Sequence, residues 1–349
     1  IHERLVGSEM CIRDRFLGMV VAICCVSCNN EWEDEQYLHM ASFKANVNAQ
    51  GVTTTYVRYK PGGVVQYKLP IIISGSTVSD RPLNIQIALD PDTLAVLNQN
   101  VYGHRQELYF QQLPSQYYNM SETVEIPAGE TTGVLPIDFK LTEDLDQADK
   151  WVLPLQIVDD PSLGYKANPR KYFRRAMLRL LPFNDYSGTY DAAQYLIHFK
   201  TDVDNKEPFT VSEQRAFVVD DRTVFIYAGT RDIDYLDRKL YKIFIRFPEE
   251  GNDTKQLEVW AENDELNFGP LTDADGKPLA FQSNFSMYSE MDELKPYLKK
   301  IFITMNLYYE FDDYTTVPGK RIRYKVQGSL SMQRNLNTLI PDEDQQVQW

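Results

Sequence analysis

The chain has 349 residues, with 36 Lys and Arg against 50 Asp and Glu and a formal net charge of −14. That acidic balance argues against binding nucleic acid or an anionic membrane surface, and the length is ample for two domains with their own cores. There are only 4 cysteines, the last at position 28, beside 22 Tyr and 17 Phe, so the folded part rests on core packing without a disulfide framework.

Residues 1–9, IHERLVGSE, contain no Met and have no signal-like character; Met10 and Met19 are candidate starts. The upstream stretch reads as an artefact and is set aside from the fold. Arg13 and Arg15 precede residues 16–26, FLGMVVAICCV, which are apolar throughout. This run is shorter than the roughly 20 apolar residues of a bilayer-spanning helix, and it has the length of a signal-peptide core. Cys25-Val26-Ser27-Cys28 follows, a C-x-x-C spacing that serves dithiols and half zinc sites. A zinc site lacks its remaining ligands, because His2, His39, His104 and His198 are scattered. A dithiol motif opens a helix after a strand, whereas this one lies between an apolar and an acidic run. The order instead resembles the lipobox of bacterial lipoproteins, with Cys25 standing where Leu is usual. That resemblance implies cleavage before Cys28 and acylation of its thiol. The acidic run after it, with Glu31, Glu33, Asp34 and Glu35, looks like the signal that sends lipoproteins of Bacteroidetes-type bacteria to the outer face of the outer membrane. Residues 1–27 are read as the signal peptide with its upstream stretch, and residues 28–42 as the lipidated cysteine and an acidic tether. The mature chain keeps the full net charge, because residues 1–27 carry three basic and three acidic side chains.

From residue 43 the pattern has period two. In residues 83–89, LNIQIAL, the odd positions are apolar, and Trp151, Leu153, Leu155 and Ile157 alternate in the same way. Val124-Glu125-Ile126 runs into the turn Pro127-Ala128-Gly129-Glu130, and residues 134–141 begin another strand. Short alternating strands between turn signals predict an immunoglobulin-like β-sandwich over 43–182. One helix is expected near 91–97, with Asp90 as its cap and Pro91 in its first turn. The turn-rich residues 182–188, PFNDYSG, mark a domain boundary. Beyond it come strands over 223–229, 240–247, 256–262, 301–311 and 322–332, and a short capped helix over 289–294. In the last strand Ile322, Tyr324, Val326, Leu330 and Met332 face one way, and Arg321, Arg323, Lys325, Gln327, Ser329 and Ser331 the other. The whole is an all-β chain whose second domain, 183–349, is an antiparallel, barrel-like (lipocalin-like) sheet.

No G-x-S-x-G, H-E-x-x-H, P-loop or Rossmann glycine pattern is present. Adjacent acids such as Asp220-Asp221 and Asp312-Asp313 point to opposite faces of a strand and do not flank one sugar bond. Asp273-Ala274-Asp275-Gly276 begins like a calcium loop, but Asn284 stands where the last ligand belongs, and a hairpin turn fits better. No catalytic residue, metal site or cofactor is expected, although carboxylates brought together from distant strands would still make a glycosidase.

Trp260 stands out because its strand neighbours Leu257, Val259 and Ala261 form the opposite, apolar face. Phe244 likewise shares a polar face with Lys242 and Arg246. A hairpin through residues 248–254 would put position 242 near 260 and 244 near 258. Trp260, Phe244, Lys242 and Glu258 would then form an aromatic platform for a sugar ring. In the competing reading, Trp260 is covered by a loop or by the first domain, or fills a barrel interior.

The motifs LPSQYY at 113–118, VEIPAGE at 124–130 and WVLPLQI at 151–157 resemble an N-terminal domain of unknown function found in Bacteroidetes surface lipoproteins. Its members have an immunoglobulin-like sandwich and occur in polysaccharide-utilisation loci, sometimes before glycosidase domains. YSGTY at 186–190 through SMQRNLN at 331–337 resembles the C-terminal domain often paired with it. The resemblance covers nearly the whole mature chain and implies no functional residues. It implies a partner role beside an outer-membrane importer of the starch-utilisation type, and with no catalytic motif present the chain is read as a non-enzymatic surface lipoprotein that binds glycan or assists its capture. A β-fold glycosidase or esterase, and an adhesin or protease inhibitor, are the alternatives.

Overall fold

The computed structural model describes residues 39–60, 63–142, 144–200, 207–249, 251 and 254–340; Cys28, Glu31, Glu33, Asp34 and Glu35 lie outside them. In the first half the strands are β1 (Met40–Phe43), β2 (Thr53–Arg58), β3 (Val64–Ser74), β4 (Leu83–Leu89), β5 (Gln111–Gln112), β6 (Tyr118–Met120), β7 (Thr123–Ile126), β8 (Thr132–Lys140), β9 (Trp151–Ile157), β10 (Lys166–Ala167) and β11 (Arg175–Phe183). The second half adds β12 (Gly188–Phe199), β13 (Phe209–Thr210), β14 (Glu213–Val218), β15 (Thr223–Tyr227), β16 (Lys242–Arg246), β17 (Glu258–Trp260), β18 (Asn284–Met291), β19 (Leu298–Asp313) and β20 (Ile322–Asn337).

The first half is a sandwich. One sheet has the order β10-β1-β3-β8-β6; the other has β2-β11-β9-β4-β7, with β5 beside β9. Their inner faces meet in a core that includes Leu69, Ile71, Ile85, Leu135, Ile137 and Leu155. Alternation sets this up: Leu83, Ile85 and Ile87 of β4 are buried, and so are Leu135, Ile137 and Phe139 of β8. Strand β9 departs from simple alternation, because Val152 is fully buried as well. The cause is the helix Pro91–Tyr102, whose Leu94, Leu97 and Tyr102 pack with Val152, Leu108 and Phe110 in a second cluster. Asp90 caps this helix by accepting from the Thr93 N–H at 3.0 Å, and it pairs with Arg175 at 2.6 Å. The helix runs past the expected 91–97 to Tyr102, since the buried face continues at helical spacing.

The second half is a barrel. Eight strands follow in the order β17-β16-β15-β14-β12-β20-β19-β18, with β13 beside β12. The bridge Gln256↔Asn284 joins the two ends, flanked by Leu257 N–H to Ser283 O and Phe285 N–H to Lys255 O, each at 2.9 Å. Closure removes the free edges there. The interior is filled by side chains, among them Ile226, Ile245, Met305, Leu307, Val326 and Leu330. Its tyrosines keep their hydroxyls satisfied: Tyr195 and Tyr309 bond to each other, and Tyr190 donates to Tyr186 O at 2.6 Å.

Residues 289–294 do not form the expected helix. Ser289–Met291 end β18 instead, and the Asp292 carboxylate accepts from Leu294 N–H and Lys295 N–H at 2.9 Å each. Asp292 therefore caps a turn, and Pro296 disfavours helical backbone in the residue before it. The pairs Met287↔Ile303 and Tyr288↔Phe302 reward the extended form.

Between β11 and β12 the Asn184 side chain accepts from Tyr186 N–H at 2.9 Å and Ser187 N–H at 2.7 Å. Arg334, buried near the end of β20, donates to Asn184 O and Ser187 O. A guanidinium from the last strand thus holds the turn that links sandwich to barrel.

Candidate functional site

The residues singled out around Trp260 occupy the outer face of β14–β17. The faces are as expected: Ile243, Ile245 and Leu257 enter the barrel, while Phe244 and Trp260 lie outside. The register differs by two residues, with Phe244 opposite Trp260 and Arg246 opposite Glu258. A two-residue slip preserves the face, so alternation could not detect it. Phe217, Phe225, Phe244 and Trp260 are successive partners across four strands, and the Phe244 and Trp260 rings stack at 5.4 Å. Phe244 is buried in this row. Lys242 lies 4.7 Å over the Phe225 ring and pairs with Asp146 of the sandwich at 2.7 Å. Trp260 is half-buried, with the Arg246 guanidinium 5.0 Å over its ring; Arg246 also meets Glu258 at 3.4 Å. The structure therefore brings Trp260 to Phe244 and Glu258 to Arg246, and commits Phe244 and Lys242 to the protein's own packing.

Among the described residues the buried carboxylates of the barrel, Glu310, Asp312 and Asp313, are all paired. Glu310 accepts from Lys200 at 2.7 Å, Arg323 at 3.2 Å and the Thr272 N–H at 2.8 Å. Burial pushes its carboxyl up, but the bonds from Lys200 and Thr272 outweigh this and hold it below the usual carboxylate range. Asp312 pairs with Arg323 at 2.9 Å, whereas Asp313, on the other face, pairs with Arg231 at 3.0 Å. Burial also raises Asp313, yet the Thr316 hydroxyl and N–H, followed by Arg231, bring it down to about 2. Asp273 binds the Asp275 and Lys277 N–H groups of its own hairpin, as the turn reading expects. A general acid needs its pKa raised toward neutrality; those of Glu310 and Asp313 are lowered.

At the domain junction a cleft of about 400 Å³ is lined by Gln106, Glu107, Tyr109, Asp149, Arg238 and Leu240, among others. Its cations hold the domains together. Arg238 donates to Ala148 O at 2.9 Å and Glu107 O at 3.0 Å, and Lys239 pairs with Asp149.

The outer face of β18, β19 and β20 is different in kind. Tyr288 is 60 % exposed and stacks on Phe302 at 4.8 Å with 15° between the rings. Phe281 is 59 % exposed and stacks on Tyr308 at 5.4 Å and 24°. Phe302 and Tyr308 lie on one face of β19, six residues or ~20 Å apart along the strand. Between them the cross-strand rows are Ser286–Thr304–Ser331 and Asn284–Asn306–Ser329. Thr304 and Ser331 share a hydrogen bond at 3.2 Å, and Asn306 donates to Asn284 at 2.8 Å. Ser286 and Ser331 are exposed and Thr304, Asn306 and Ser329 partly so. These aromatics were not singled out from the sequence, although the signal that picked out Trp260, an aromatic on the wet face of a strand, is also present at Phe302 and Tyr308.

A family model described as a domain of unknown function, DUF4973, matches residues 32–161, and a C-terminal domain model matches residues 174–331. Functionally curated proteins yield no match. Among solved structures, a protein of unknown function from Bacteroides ovatus is 38 % identical, with TM-score 0.76, over 89 % of this chain and 100 % of its own. A multidomain protein including DUF1735 from the same organism is also 38 % identical, with TM-score 0.76, over 90 % and 100 %. An auxiliary nutrient binding protein from Bacteroides thetaiotaomicron is 35 % identical, with TM-score 0.75, over 88 % and 100 %.

Proposed function

The chain belongs to the family of these Bacteroides proteins, and on that premise we propose that it is a non-enzymatic surface lipoprotein that binds glycan beside a starch-utilisation-type importer. The observation that carries this reading is the pair of exposed ring stacks on the barrel's outer face, separated by hydroxyl and carboxamide groups. Flat apolar rings beside hydrogen-bonding groups match the two kinds of surface a sugar presents. The relative named an auxiliary nutrient binding protein supports the same role. The paired carboxylates Glu310, Asp312 and Asp313 support binding over glycoside hydrolysis. Cys28 would be the lipid anchor in the outer membrane, and Glu31, Glu33, Asp34 and Glu35 would direct the protein to the exterior.

Two measurements test this. Expressed in a Bacteroides host, the protein is expected to take up labelled palmitate and fractionate with the outer membrane; Cys28→Ala is expected to lose the label and become soluble. Applied to a glycan array, the mature chain without its lipid is expected to bind at least one polysaccharide. Absence of binding, together with stable copurification of importer subunits, would recast it as a structural subunit.

A further inference from the structure

We propose that the outer face of β18, β19 and β20 binds one extended, uncharged polysaccharide chain at two stacking points at once, Tyr288–Phe302 at one end and Phe281–Tyr308 at the other. This assignment rests on the glycan-binding reading above and specifies its site and substrate class.

The first argument is geometry. Both stacks stand on the same face of one continuous strand, ~20 Å apart, a span that a single sugar ring does not bridge and a run of several does. In each stack one ring is more than half exposed, Tyr288 at 60 % and Phe281 at 59 %. The side of each ring turned away from its partner is therefore open to a ligand. The strand direction sets the direction of the chain.

The second argument is chemistry. The groups between the stacks are hydroxyls and carboxamides: Ser286, Thr304 and Ser331 in one row, Asn284, Asn306 and Ser329 in the next. Gln194 of β12, opposite Ser329 and exposed, extends the second row. Such groups donate and accept in the same way a sugar hydroxyl does. Within β18, β19 and β20 these two rows hold no charged side chain, and on β12 the first row continues to Asp191, opposite Ser331 and exposed, an anion in keeping with the net charge of −14. A polyanion would be repelled by the surroundings and would find no cation in the strip; Lys300, one row beyond Phe302, is held by Asp292 at 2.8 Å. A neutral polymer meets neither obstacle.

The third argument is linkage. Two weak contacts on one ligand add through effective concentration, so affinity rises with chain length once both stacks are reached. A ligand touching one stack gains only that stack.

The test is affinity electrophoresis of the mature chain through gels holding neutral α- and β-glucans, mannans, xylans and galactans, with polygalacturonate as the acidic polymer. Tyr288→Ala, Phe281→Ala, the double variant and Trp260→Ala run beside the wild type, with melting temperatures checked. The expected result is retention by at least one neutral polymer and none by polygalacturonate. Each single variant at 288 or 281 is expected to weaken retention about tenfold and the double about a hundredfold, since well-separated sites add. An oligosaccharide too short to reach both stacks is expected to compete poorly. Retention in which only one of the two positions matters, in which Trp260→Ala alone abolishes binding, or which extends equally to polygalacturonate overturns the inference and leaves the glycan-binding function standing. No retention by any polymer overturns both.

Discussion

Gly328→Ala is expected to leave little folded barrel. Gly328 sits in β20 with φ +138, opposite Tyr195 of β12 and just past the place where the β12–β20 register shifts, between Asp191 and Gln194. A Cβ there would lie 1.8 Å from Gln194 O, 2.9 Å from Gln194 C and 3.2 Å from Tyr195 Cα. All three are backbone atoms, so no side chain can swing aside. Relief requires the two strands to part at the centre of the barrel, where the β12–β20 pairing runs from Asp191 to Phe199. We expect a loss above about 4 kcal/mol, a large part of the roughly 5–15 kcal/mol that holds a domain together. Gly276→Ala is the comparison: its φ is +76, but nothing lies within 4 Å, so only the backbone cost of about 1–2 kcal/mol applies. Calorimetry of the soluble protein measures both. A Gly328→Ala melting temperature within a few degrees of wild type would show the close approach to be illusory.

Arg231→Met is expected to cost about 3–5 kcal/mol, because it strands a buried carboxylate. The Arg231 guanidinium bonds Asp313 at 3.0 Å, Asp237 at 3.1 Å and the Thr316 hydroxyl at 3.0 Å, and it lies 3.4 Å over the Tyr241 ring. Arg231 and Asp313 are both almost fully buried. The pH dependence follows from Asp313, whose folded pKa is lowered from 3.8 to about 2. A lowered carboxyl pKa contributes stability that is fully present above the unfolded value and is lost as pH falls through the folded one. Wild-type stability from this group should therefore be constant from neutrality to about pH 4 and fall between about 4 and 2. Without Arg231 the Asp313 carboxyl titrates higher, and the acid decline should begin at higher pH. Urea unfolding across pH 7 to about 2.5 reads both effects. A wild-type midpoint at pH 7 for Arg231→Met would mean that the pair contributes nothing net, which is the known alternative for buried ion pairs.

The two substitutions act on different links of the same barrel. Gly328 governs how closely two strands pass, and Arg231 governs whether the loop after β15 stays tied to the end of β19. Neither touches the outer face of β18–β20, so unfolding and loss of binding can be separated in one set of variants.

Much of the architecture was legible from local pattern. Alternation placed Leu83, Ile85 and Ile87 inside the sandwich, and Ile243, Ile245, Val326 and Leu330 inside the barrel. Asp90 with Pro91 marked a helix start that the Thr93 N–H confirms. These features depend on neighbours a few positions away in the chain, and the pleat or the helical turn repeats at that distance. The helix expected at 289–294 failed because a cross-strand partner, Phe302, outweighed a capping pattern.

The sequence by itself determined which residues of the alternating strands face inward, where most turns fall, and that the chain is all-β with an acidic balance. Only the tertiary structure decided which faces meet. Period two assigns a face but not a partner, so the register at β16–β17, closure through Gln256 and Asn284, and the covering of Phe244 beside the sandwich's Asp146 were out of reach. The same holds for the ring stacks: Tyr288 and Phe302 become neighbours through a hairpin, and Phe281 reaches Tyr308 only after β18 has folded back along β19. Trp260, Phe302 and Tyr308 satisfied one sequence criterion, an aromatic on the wet face of a strand. Packing separated them, because Arg246 lies over the Trp260 ring whereas Phe302 and Tyr308 carry the exposed rings of Tyr288 and Phe281; solvent exposure belongs to the assembled surface and not to any strand alone.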